Sequence, residues 1–294
     1  MQPSRRAFLL GRRPAQSPWA AFLQRLGLLC QGAVRDLGES GEAGPRAVLI
    51  PAREADVAHA RALCAEYRIT LALEGAEGPF ETHYGPLLRV DPSALTELLR
   101  LPGEPARWHA RPGVPLAALA RAGLRQFAGL PGELTLAAWL AAPARWEAGR
   151  CAGSGVLAVD VMLADGVEET LGAFGEADVQ PLRSATVQRL VPSLFQLASG
   201  GDAFATRDGE RWLGRYRLDA LKPEAPATVN LGQLLLGHGG TLAWVSGVTL
   251  ADAPPAPQLP PPAEPPGLAT TRLDSRVKAL FDPDGRFPLL SAPQ

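Results

Sequence analysis

The sequence predicts an α+β chain, and three observations carry that expectation. First, Arg46 to Ile50 (RAVLI) and Ile69 to Leu73 (ITLAL) are short apolar runs on either side of a helical pattern in which Val57, Ala60, Leu63 and Cys64 share a face. That alternation is the mark of a β-α-β layer. Second, residues 110–142 read as a strand end, a turn at Pro112-Gly113, an Ala/Leu helix, a second turn at Pro131-Gly132 and a small-residue segment. Third, Val159 to Ala164 is an apolar strand closed by the turn dipeptide Asp165-Gly166.

Length and composition bound the class. A chain of 294 residues can bury a substantial core, as one large domain or two intimate ones. The net charge of −1 comes from scattered residues of both signs, which excludes the basic stripe that nucleic-acid binding requires. Lys222 and Lys278 are the only lysines; arginine dominance with abundant Ala, Pro and Gly reads as the coding bias of a GC-rich bacterial genome. Cys30, Cys64 and Cys151 stand alone, without the spacing of a zinc or iron–sulfur site. No metal site is expected, and reduced buried thiols fit a cytoplasmic chain. No apolar run approaches the ~18 residues of a transmembrane span.

Taken in order, the N-terminus opens with Ser4-Arg5-Arg6-Ala7-Phe8-Leu9, the beginning of a twin-arginine signal. Its apolar run ends at Leu10, before Gly11-Arg12-Arg13-Pro14, short of the roughly 7–15 apolar residues of an export signal. Residues 1–39 therefore read as a basic arm and a helix, with Ser17-Pro18 as cap and first turn and Trp19, Phe22, Leu23, Leu26 and Leu29 as its apolar stripe. The β-α-β block follows. Trp108-His109 reads as part of a strand. Asp252 to Gly267, with eight prolines in sixteen residues, is a stiff linker. Beyond it, Leu273 to Phe281 is a helix ended by the turn Asp282-Pro283-Asp284-Gly285; that turn lacks the further carboxylates of a calcium loop.

Several of these blocks resemble the FAD-linked oxidases, the PCMH-type FAD-binding family. Val48-Leu49-Ile50-Pro51 with Glu54-Ala55-Asp56-Val57 resembles its first strand and helix start, and Pro131-Gly132-Glu133-Leu134-Thr135-Leu136-Ala137-Ala138 its "P-G-x-x-T-v-G-G" turn. Leu87 to Leu98 resembles its strand-and-helix segment, and Val159 to Gly166 and the tail Phe281-Asp282-Pro283-Asp284-Gly285-Arg286-Phe287 are similar to later elements. Leu236 to Trp244 (LGHGGTLAW) is similar to a motif of the short FAD-binding subunit of the glycolate oxidase complex.

The resemblance implies a PCMH-type fold: subdomains at 40–103 and 104–220, a truncated cap segment at 221–251, the linker at 252–267 and a C-terminal helix and tail at 268–294. It implies FAD, its diphosphate lying against Gly75, Ala76, Glu77 and Gly78 on one side and Pro131, Gly132, Thr135, Leu136, Ala137 and Ala138 on the other. It implies a flavin-linked oxidoreductase subunit acting on a glycolate- or lactate-like 2-hydroxy acid, with a catalytic flavoprotein and an iron–sulfur subunit as partners. His83 and Tyr84 are read either as lining a flavin pocket or as a polar loop pair, and His238 is open between a site and a structural role. The family's catalytic residues have no counterpart that can be named.

The sequence departs from the family where the cofactor would lie. Ala137 and Ala138 replace glycines that let the backbone approach the diphosphate, and each adds a methyl group. Glu74-Gly75-Ala76-Glu77-Gly78-Pro79 replaces a glycine loop whose N–H groups would form a nest for phosphate, and it sets two carboxylates there. An alternative function follows: a cofactor-free paralogue serving as a structural or assembly subunit.

Overall fold

The computed structural model describes residues 17–39, 44–76, 84–144, 146–175, 181–257 and 266–289. The twin-arginine-like start, Glu77, Gly78, His83 and residues 258–265 of the linker lie outside them. Two modules meet along one seam. In the first, Ser17 Oγ accepts from Ala20 N–H (3.2 Å) at the start of α1 (Pro18–Leu29), which buries Phe22 and Leu26. Next come β1 (Ala33–Glu39), β2 (Pro45–Ile50), α2 (Glu54–Tyr67), β3 (Thr70–Leu73) and β4 (Leu87–Val90). They form a sheet in the order β1-β2-β4-β3. β4 pairs parallel with both β2 and β3, and β1 is antiparallel to β2; α2 is the crossover that the parallel strands need. Buried Asp56 at the start of α2 accepts from the backbone N–H groups of Gln31, Gly32 and Ala52 (2.9–3.0 Å), tying α1, β2 and α2 together.

The second module contains β5 (Leu98–Leu101), β6 (Arg107–Ala110), α3 (Leu116–Arg121), α4 (Leu136–Ala141), β7 (Val156–Met162), β8 (Glu168–Leu171), α5 (Ala185–Ala198) and α6 (Gly201–Ala205). A ribbon of β9 (Arg207–Asp208) and β10 (Arg211–Trp212), then β11 (Trp244–Ala251) and α7 (Leu268–Phe281), complete it. Its main sheet is antiparallel throughout, in the order β5-β6-β11-β7-β8. Val159, Val161, Val248 and Leu250 from the sheet share one core with Leu116, Leu119, Leu190, Leu194, Leu273 and Val277 from the helices. The opposite face carries the half-exposed His109, Asp160, Thr170 and Thr249. Among the described residues no helix is long and apolar enough to cross a membrane, and all three cysteines are free and buried.

The α+β expectation stands, with corrections in the second module. The helix expected up to Leu98 is only a 3₁₀ turn, Pro92–Ala94, capped by Asp91, and Leu98 already begins β5. β5 therefore pairs with β6 in the second sheet although it lies in the stretch assigned to the first subdomain. The segment 221–251, expected as a cap, instead supplies β11, the central strand of that sheet. Its alternation is hidden because Ser246 is an extra residue in its pairing with β7, which puts the apolar residues on its two sides out of phase. The C-terminal helix runs from Leu268 to Phe281.

Candidate functional site

The seam between the modules is where the resemblance places a diphosphate, and the fold does bring its two sides together. β3 ends at Leu73, and Gly75 turns the chain with φ +80°. A Cβ built on Gly75 would lie 3.7 Å from the Ala138 Cβ, so the β3 loop and the start of α4 are in direct contact. Ala76, Ala137 and Ala138 are all buried. Glu74 is turned to Arg89 in an ion pair (3.2 Å). The loop Gly237–Gly240 closes a third side. Gly237 N–H donates to Leu140 O (2.8 Å) and Gly239 N–H to Ala141 O (3.0 Å). Gly240 has φ +69°, and a Cβ there would meet the Leu73 Cβ at 3.0 Å and the Ala76 Cβ at 3.7 Å. Only glycine fits at this contact.

The start of α4 has few donors to offer. Leu136 N–H donates to Val114 O (2.9 Å), Ala137 N–H to Pro112 O (2.9 Å), and Ala138 N–H to Thr135 Oγ1 (3.2 Å). These are groups that a helix start normally leaves for a cap, water or an anion. Here the first three are satisfied by the protein, and the helix is only six residues long. The rest of the predicted turn lies elsewhere: Gly132 packs against Ala117 of α3, Pro131 is exposed, and Leu136 belongs to the second module's core.

Among the described residues, one cavity of about 10 Å³ at the seam is bounded by Leu71, Leu73, Ala137, His238, Trp244 and Phe287. One water molecule needs roughly 10–15 Å³ by this measure; a diphosphate needs several times as much. The described residues therefore do not fit the FAD diphosphate. The methyl groups of Ala137 and Ala138 stand in its path, and the first three amides of α4 already have acceptors.

His238 lines this cavity. Its side chain is buried and neither ring nitrogen has a hydrogen-bond partner among the described residues. Burial, reinforced by the nearby Arg215 charge, pushes its imidazole down to about 3, so the ring is neutral at physiological pH. Its loop is held from the C-terminal tail. Lys278 Nζ donates to Thr241 O (2.6 Å) and Phe287 O (3.2 Å) and pairs with Asp282. Asp282 also accepts from the N–H groups of Arg286 (2.7 Å) and Phe287 (2.8 Å). The Phe281–Phe287 motif is thus a clamp. Tyr84 is exposed on the surface, and His83 lies outside the described residues.

A second cluster was not foreseen. Glu54, in the first turn of α2, accepts from the Trp244 indole N–H (3.3 Å) and faces Arg111 Nη1 (3.6 Å). Burial pushes its carboxyl up to about 7, against the Trp244 hydrogen bond and Arg111; Glu168 and Asp160 push with burial. Beside it on the outer sheet face, His109 Nε2 lies 3.8 Å from Asp160 Oδ2, whose other oxygen accepts from Thr170 Oγ1 (2.6 Å). These residues come from distant parts of the chain, so no local motif announces them. Among the described residues no group of three or more His, Cys, Asp or Glu is placed to hold a metal ion.

No family model and no curated protein matches the sequence. Solved structures with a similar chain path include a solvent-stable cholesterol oxidase, at 17% identity and a TM-score of 0.43 over 76% of this chain and 38% of that one. Another is a variant of Physcomitrella patens BBE-like 1, at 14% identity and a TM-score of 0.46 over 78% of this chain and 43% of that one. The chain spans less than half the length of either.

Proposed function

We propose that this chain is a cofactor-free relative of the FAD-linked oxidases that serves as a structural or assembly subunit. Its partners on this reading are a catalytic flavoprotein and an iron–sulfur subunit that together oxidise a small 2-hydroxy acid. One observation carries the reading: where a diphosphate would lie, the Ala138 methyl meets the Gly75 turn and the first amides of α4 are spent on Val114, Pro112 and Thr135. Fold and cradle are separable because the flavin, not the protein, holds the redox chemistry. A chain can lose its ligand contacts and keep its core.

A second reading keeps FAD and makes the chain the FAD-binding subunit of a flavin-linked oxidoreductase acting on a glycolate- or lactate-like substrate. It is favoured by the meeting of the β3 loop with the start of α4, the two segments the family uses. The experiment is purification of the full chain under conditions that retain flavin, followed by denaturation. Colourless protein that releases no flavin supports the first reading. Yellow protein that releases FAD in proportion to chain overturns it in favour of the second.

A further inference from the structure

The outer face of the five-stranded sheet holds a pocket of about 630 Å³, within the ~300–1,000 Å³ typical of small-molecule sites. It exists because small residues line up across three strands. Thr249 of β11 pairs with Ala158 of β7, and Gly172, just after β8, sits so close that a Cβ there would meet the Ala158 Cβ at 3.3 Å. Leu182 and the Pro226–Thr228 loop wall this floor.

The polar groups on the wall are mostly committed. Asn230 Nδ2 donates to Leu157 O (2.8 Å), its Oδ1 accepts from Gly232 N–H (2.9 Å), and Gln233 Nε2 donates to Val156 O (3.2 Å). Arg107 is different. It is exposed, and among the described residues it is the one charged side chain lining the pocket and forms no ion pair. A guanidinium at the mouth of a largely apolar pocket suits a ligand with one anionic head, since its planar fork matches a carboxylate. A second anionic group would meet Asp160, which Thr170 holds beside the floor (2.6 Å).

We propose that this pocket binds amphipathic monocarboxylates, the apolar body lying over Ala158 and Gly172 and the carboxylate on Arg107. The site is separate from the seam, so the inference holds whether or not the seam takes FAD.

The test is calorimetric titration of the full chain with octanoate, and with 1-octanol as an uncharged control, on the unmodified protein, Arg107→Gln and Ala158→Leu. Octanoate should bind saturably. Arg107→Gln should weaken it roughly tenfold or more, the scale of a lost charge-assisted pair, and leave octanol unchanged; Ala158→Leu should abolish binding of both. Absence of saturable octanoate binding, equal octanoate affinity in Arg107→Gln, or octanol binding as tightly as octanoate overturns the proposal. Arg107 is exposed, so its variant decides the matter even if Ala158→Leu fails to fold.

Discussion

Replacing Lys278 by methionine should destabilise the chain more than any surface change, and the clamp's geometry sets the size. Methionine fills most of the lysine's volume but cannot pair with Asp282, whose side chain is fully enclosed. It also leaves the carbonyls of Thr241 and Phe287 without their shared donor. Removing one partner of a buried ion pair costs about 3–5 kcal/mol, because the other charge is left stranded. Asp282 keeps its hydrogen bonds from Arg286 and Phe287, which places the expectation near the lower end, about 3 kcal/mol. The assay is urea denaturation followed by fluorescence, with the midpoint falling and the slope unchanged. Adding Asp282→Asn should recover part of the loss, since it removes the stranded charge, so the double variant should be more stable than the two single losses summed. A cost below about 1 kcal/mol, the scale of an exposed pair, or simple additivity would refute the clamp.

Two more predictions concern the seam and the Glu54 cluster. Ala138→Leu should cost roughly 1–3 kcal/mol by overpacking, because Ala138 is buried with its methyl against the Gly75 turn; a thermal midpoint equal to the parent's would mean an open cleft. Burial pushes the Glu54 carboxyl up to about 7 from an ordinary 4.5, so the folded state holds the extra proton between those values. Stability should therefore fall as pH rises from about 4.5 to 7 and then level off, by at most on the order of 3 kcal/mol. Asp274, raised to about 6 by burial, acts in the same direction. Glu54→Gln should flatten the slope without removing it, and thermal midpoints measured across that range that keep the parent's full slope would count against the assignment.

How much of this was legible in the sequence varies by element. The β-α-β block was readable because β2 and β3 are buried in a parallel sheet, where strands run continuously apolar, and because α2 keeps Val57, Ala60, Leu63 and Cys64 on one face. β11 was not, since the extra residue Ser246 breaks the alternation that marks a strand. β5 was lost because Pro92 and Asp91 signal a helix start that the chain abandons after three residues. At the seam, the alanines could be seen in the sequence, but not that their amides are spent on Pro112 O and Thr135 Oγ1. The Glu54 cluster gathers residues from α2, β7, β8 and β11, and no spacing rule connects positions so far apart.

The closed seam is tested most directly by adding FAD to the purified chain and following its thermal unfolding. A ligand that binds only the native state stabilises it by about 2.7 kcal/mol at a hundred times its Kd, which for a chain of this size is roughly 5–10 °C. The alanine-filled seam predicts no shift at any FAD concentration. A saturable rise of that size, accompanied by bound yellow flavin, would contradict it.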